Sequence, residues 1–83
     1  LGHHEKWDGS GYPLGLKGVE IPLISRIINV VDSYDVMTNN RPYKKAMAQN
    51  EALHELERCS GSQFDPKIVN IFKEYMKCDF FRV

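Results

Sequence analysis

Hydrophobic spacing divides this chain near residue 20. Beyond that point Ile24, Ile27, Ile28, Val30, Val31 and Tyr34 recur at three- and four-residue intervals, which predicts a helix from Pro22 to Asn39 with a wide apolar face. Isoleucine and valine also suit a buried strand, but the length and the spacing decide for helix. Pro22 suits a first helical position. Asn39-Asn40 can end the helix because asparagine tolerates the left-handed conformation, and Pro42 disfavours helical geometry at Arg41. A second, short helix is predicted from Glu51 to Cys59, with Asn50 as N-cap, Gly61 as terminator, and Ala52, Leu53 and Leu56 as its apolar side. A third starts at Asp65-Pro66, a cap residue followed by proline, and ends near Lys77 with Ile68, Val69, Phe72, Tyr75 and Met76 facing inward. Residues 1–20 hold five of the six glycines and show neither period, so they read as a structured loop. The expectation is one all-α unit: a glycine-rich loop over 1–20, then a helical part over 21–77.

Length and charge narrow the picture. A chain of 83 residues buries a modest share of its surface, so metal, a partner chain or further sequence is expected to add stability. Eleven basic and eleven acidic residues argue against binding a nucleic acid polymer, though local cations can hold a small anion. No apolar run approaches the roughly 20 residues needed to span a bilayer, and the opening residues lack a signal-peptide layout. Cys59 and Cys78 show no paired spacing, so reduced thiols and a cytoplasmic setting are expected. The chain opens abruptly on a chemically loaded segment, as a piece of a larger domain would.

Four constellations carry candidate chemistry. In His3-His4-Glu5, with Asp8 beyond, the two histidines could meet one ion through an irregular turn, serve two neighbouring ions, or be exposed side chains or a tag remnant. Asp32 and Asp35 share a helix face at i, i+3, where like charges repel unless a cation or proton intervenes; an exposed polar stripe is the plain alternative. A mixed histidine and aspartate set suits zinc, iron, manganese or nickel better than calcium or magnesium. Arg41-Pro42-Tyr43-Lys44 puts two cations just past a helix C-terminus, fit either for gripping a phosphate or for capping the helix. Asp8-Gly9-Ser10-Gly11-Tyr12-Pro13, with Gly15-Leu16-Lys17-Gly18, fits neither the P-loop nor the dinucleotide fingerprint and by composition is a turn-rich loop. Trp7, Tyr12 and Tyr43 could stack on a base or simply pack. His54 reads as a solvated helix residue, and Gln63-Phe64-Asp65-Pro66 as a helix cap with an anchoring aromatic.

Taken together, these segments resemble the HD-GYP family, a branch of the HD-domain phosphohydrolases. The matching residues run collinearly from His3-His4-Glu5 through Asp8-Gly9 and Gly11-Tyr12-Pro13, then Gly15-Leu16 and Gly18. They continue through Ile21-Pro22, Arg26-Ile27, Asp32, Asp35, Thr38 and Arg41-Pro42-Tyr43 to Gly61 and Phe64-Asp65-Pro66, covering nearly the whole chain. The resemblance implies a mostly helical fold with two or three divalent metal ions, iron or manganese foremost and zinc or nickel as alternatives. It implies metal ligation by His3, His4 and Asp32, a place close to the metals for Asp35, and contacts to the ligand from Gly11, Tyr12, Pro13, Arg41 and Lys44. The family's upstream His-Asp dyad, its further histidines and a nearby lysine have no counterpart in this sequence, so the isolated chain is expected to be incomplete and inactive.

The implied activity of the parent domain is metal-dependent hydrolysis of c-di-GMP to linear pGpG or GMP, in bacterial signal transduction. The alternative is a non-catalytic module that binds c-di-GMP or a diguanylate cyclase (GGDEF) domain. The wide apolar faces of the first and third helices further suggest self-association of the isolated chain or a partner that covers them.

Overall fold

The computed structural model describes residues 5–12, 14–40 and 42–77. A loop of residues 5–17 leads through a single 3-10 turn, Gly18–Glu20, into three helices: α1 (Leu23–Thr38), α2 (Gln49–Arg58) and α3 (Pro66–Lys77). Among the described residues there is no strand; two isolated bridges, Asp8 with Lys17 and Ser60 with Phe64, pin turns.

The helices pack mutually around Val30, Leu56, Phe64 and Val69, with Tyr34, Met37, Leu53, Ile68 and Phe72 against that centre. Tyr34 and Phe72 meet edge-on, 5.1 Å between ring centres, a favoured aromatic geometry. The inner residues of α2 behave as their spacing predicts: Ala52 and Leu56 are fully buried and Leu53 half-buried.

The other two faces differ from expectation. On α1, Val30 is buried, but Ile24 is 64% exposed, and Ile27, Ile28 and Val31 are exposed as well. The predicted face is wider than the surface that α2 and α3 cover, so only its inner edge finds partners. On α3, Tyr75 is exposed while Val69 and Met76 are buried, the helix turning Tyr75 past the edge of the contact.

The helix ends also correct several predictions. Pro22 precedes α1 with extended backbone (ψ 140°) instead of opening its first turn. Asn39 is extended too, not left-handed; it ends the helix with its side chain, Nδ2 donating to the Asp35 carbonyl at 2.7 Å and to Asp35 Oδ1 at 2.8 Å. The cap of α2 is Ala48, with Asn50 inside the helix. The Glu51 carboxylate accepts from the Ala48 amide at 3.0 Å, and this one-way glutamate contact starts the helix two residues earlier than a side-chain cap at Asn50 would. Asp65 caps α3 as predicted, Oδ1 accepting from the Lys67 amide at 2.9 Å.

Candidate metal and phosphate site

The loop is built around one carboxylate. Glu5, 2% exposed, accepts from the Leu14 amide at 2.7 Å and the Leu16 amide at 2.8 Å, one on each oxygen. This ties the start of the glycine-rich segment to its far side. Gly15 stands between those two amides at φ +65°, a left-handed backbone that favours glycine over residues with a side chain. Asp8 closes an Asx turn through Oδ1, which accepts from both the amide and the hydroxyl of Ser10. Those contacts hold the exposed Asp8 carboxyl below its usual range.

Three further joints seat the loop on the helices. The Trp7 and Asp8 amides donate to the Gln63 and Ser62 carbonyls, at 3.1 and 2.8 Å. Asn29 Nδ2, from the middle of α1, donates to the Glu5 carbonyl at 3.2 Å. Arg26 donates through Nε to the Ile21 carbonyl at 3.0 Å and through Nη1 to Asp65 Oδ2 at 2.8 Å, joining the loop exit, α1 and the cap of α3.

The result is a polar cavity of about 330 Å³, walled by Glu5, Lys6 and Tyr12 from the loop, Asn29, Asp32 and Ser33 from α1, and Gln63 and Phe64 from the turn before α3. Asp32 is exposed at its edge, and among the described residues no hydrogen bond or ion pair engages its carboxylate. It is therefore not a buried charge at the centre of an apolar helix; the covered face of α1 is narrow enough to leave Asp32 on an open rim. Glu5, which follows His4 in sequence, lines the same cavity. The local folding thus brings the end of the histidine segment and Asp32 to one cavity. His3 and His4 themselves lie outside the described residues, and among those described no cluster of three or more metal-ligating side chains forms.

Asp35 sits on the other flank of Asp32, beside the exposed Ile27, Ile28 and Val31, with its side chain held by Asn39. Gly11 is half-buried and Tyr12 exposed at the cavity wall; Pro13 and Arg41 lie outside the described residues. Lys44 and Tyr43 are exposed in the loop after α1. That loop is closed at its ends, the Met47 amide donating to the Met37 carbonyl at 2.8 Å and the Ala46 amide to Asn40 Oδ1 at 3.0 Å. Trp7 packs against Gly18, where an added Cβ would stand 3.8 Å from the indole. His54 is exposed on α2. Cys59 is half-buried with a free thiol, and Cys78 lies outside the described residues.

Sequence reading missed Glu5 as the organiser of the loop, and Lys6, Asn29 and Gln63 as its companions at the cavity. One signal was legible: Asn29 interrupts the run Ile27-Ile28-Asn29-Val30-Val31, where a polar group needs a partner. Glu5 offered none, since its partners are backbone amides nine and eleven residues away.

Comparison with known proteins decides the family. The model of the HD domain matches residues 1–68. The chain belongs to the HD domain family. A probable cyclic di-GMP phosphodiesterase of Vibrio cholerae is 50% identical over 72 residues, 87% of this chain and 16% of that protein. A cyclic di-GMP phosphodiesterase of Thermotoga maritima is 48% identical over 77 residues, 93% of this chain and 21% of that protein. The crystal structure of a cyclic GMP-AMP specific phosphodiesterase of V. cholerae superposes with a TM-score of 0.82 at 34% identity, covering 95% of this chain and 18% of that one. The HD domain chain thus spans about a fifth or less of the length of these relatives. Its three-helix architecture is that of an HD-type helical domain. Among the described residues, no helix is long and apolar enough to cross a membrane.

Proposed function

We propose that this chain supplies part of the active site of a metal-dependent cyclic dinucleotide phosphodiesterase, with c-di-GMP as substrate and linear pGpG or GMP as product, in the GYP branch of the HD domains. The observation that supports the reading is the shared cavity: Asp32, whose carboxylate is unengaged among the described residues, and Glu5, the residue that follows His4 in sequence, line the same cavity. The donor set fits a divalent cation of the iron, manganese, zinc or nickel type, because it joins two borderline imidazoles to a hard carboxylate whose lone pairs are unengaged among the described residues. His3, His4 and Asp32 would hold such ions. Two or three of them, completed by residues of the parent protein, supply Lewis acidity and an activated nucleophile for phosphodiester hydrolysis.

The chain's own residues have separable tasks. Asp35 stands beside Asp32, with Asn39 restricting its carboxylate. Lys44 lies in the short loop closed by Asn40 and Met37; Lys44 and Arg41 would neutralise phosphoryl oxygens. Gly11, Tyr12 and Pro13 would form the ligand-facing lip of the loop that Glu5 shapes, with Tyr12 already at the cavity wall. The relatives' names, which carry both cyclic di-GMP and cyclic GMP-AMP, support the substrate class. A cytoplasmic setting and contact with a GGDEF-domain protein belong to the same reading.

In the full-length parent protein, His4→Ala or Asp32→Ala should abolish metal loading and cyclic dinucleotide hydrolysis together. Elemental analysis is the check, and normal metal content in either variant refutes the ligand roles. The uncovered Ile24, Ile27, Ile28 and Val31 support self-association of the 83-residue chain through α1. Sedimentation should show a species larger than the monomer that Ile28→Glu dissociates; a compact monomer at high concentration refutes it.

A further inference from the structure

Asn29 stands three residues before Asp32 on α1, which puts both on one helix face, roughly 4.5 Å apart along the axis. Both line the first cavity. Asp32 also lines a second cavity, of about 300 Å³, together with Val36 and Met37 of α1 and Glu55 and Arg58 of α2. In neither cavity does a hydrogen bond or ion pair among the described residues engage its carboxylate. The backbone of α1 therefore sets the place of Asp32. About one turn earlier, the same helix grips the loop. Asn29 Nδ2 donates to the Glu5 carbonyl at 3.2 Å, across 24 residues of sequence. A carbonyl only accepts, so the amide nitrogen of Asn29 is the atom that meets it. Glu5 is thus held from two sides, its carbonyl by α1 and its carboxylate by the Leu14 and Leu16 amides. Consecutive Cα atoms are about 3.8 Å apart, so whatever fixes residue 5 limits the position of residue 4.

We infer that Asn29 is a positioning residue for the metal site: by holding the Glu5 carbonyl, it sets how far the histidine segment stands from Asp32. The inference rests on the metal-dependent reading and deepens it, giving a role to a residue outside the ligand set. Ligand groups from distant segments share an ion only at a closely fixed separation, because metal–ligand distances tolerate about 0.2 Å. His3 and His4 belong to the loop and Asp32 to α1, and the Asn29 bond spans the gap between those two segments. The plain alternative is that Asn29 merely satisfies its own amide between Ile28 and Val30. The two roles differ in what they move. A neutral hydrogen bond at a half-buried side chain adds little net stability, because water replaces the lost partner. A group that orients metal ligands acts on the metal instead, and its removal typically weakens binding about 10–100-fold.

The experiment titrates manganese(II) into the metal-free, full-length parent protein by calorimetry, then repeats the titration on Asn29→Asp and on Asp32→Ala. Asn29→Asp keeps the shape of the side chain but turns the donor into an acceptor opposed to the Glu5 carbonyl. Its added negative charge would by itself attract a cation, so weaker binding isolates the loss of position. The expected result is a Kd raised about tenfold, with the same number of ions bound at saturation. The metal-free Tm should stay within about 4 °C of the unaltered protein. Unchanged or tighter manganese binding in Asn29→Asp overturns the inference; a merely structural role would lower Tm and leave the Kd of the folded protein where it was. If circular dichroism shows that Asn29→Asp does not fold, Asn29→Ser, uncharged and too short to reach the carbonyl, is read by the same two outcomes. Asp32→Ala separates this inference from the reading beneath it. An Asp32→Ala protein that keeps its metal removes the ligand assignment and the positioning role together. Metal lost in Asp32→Ala beside unaltered affinity in Asn29→Asp removes the positioning role alone.

Discussion

The helical part and the loop of this chain are ordered by different forces. Between the helices, burial is spread over Val30, Leu56, Phe64 and Val69, each touching several neighbours. In the loop, shape depends on a few polar contacts converging on one side chain, Glu5. Apolar burial is non-directional and tolerates redistribution, whereas a buried carboxylate serving two amides leaves those donors stranded when it goes. The contrast also marks a division of labour. The core fixes the direction of α1, and so the place of Asp32. The polar joints decide whether the segment after His4 reaches it.

This difference can be broken at either end. The largest effect should come from Leu56→Ala, fully buried at the centre, with a loss of about 2–5 kcal/mol. Denaturant unfolding should show all three helices losing stability together, and loss confined to α2 would mean the core is not shared. Glu5→Ala should cost about 1–3 kcal/mol through its orphaned amides, with hydrogen exchange accelerating at Leu14 and Leu16 while the helix amides keep their protection. Uniform acceleration across the helices would erase the distinction between the two regions. The smallest effect belongs to the surface. The ion pair with Lys73 holds the exposed Glu57 carboxyl below its usual range. A carboxyl lowered in the folded state stabilises above its unfolded value, and that contribution disappears as pH falls through the folded value. Glu57→Gln should therefore lower Tm slightly at neutral pH and low salt. The gap should close in acid and in high salt; a gap that widens in acid contradicts the assignment.

The same contrast explains what could be read in advance. The three helices follow from spacing, and Asp65-Pro66 announced the cap of α3 because capping is a local event between neighbours. Asn50 misled for the opposite reason: a good cap residue competed with Ala48-Gln49-Asn50-Glu51, whose glutamate contact was the stronger local solution. The face of α1 misled because periodicity reports which residues are apolar, not how many partners arrive to cover them.

The order of residues alone settled the helical class, the break near residue 20, and the inventory of imidazoles, carboxylates and cations from which a phosphodiesterase site could be made. Tertiary structure alone decided that Glu5 would hold the loop in shape, that Asp32 and Glu5 would line one cavity, and that Glu55 and Arg58 would line a second cavity next to it. Helix periodicity is written within a few residues, but a buried carboxylate finds its amides, and a cavity its walls, only after distant segments have been packed against one another.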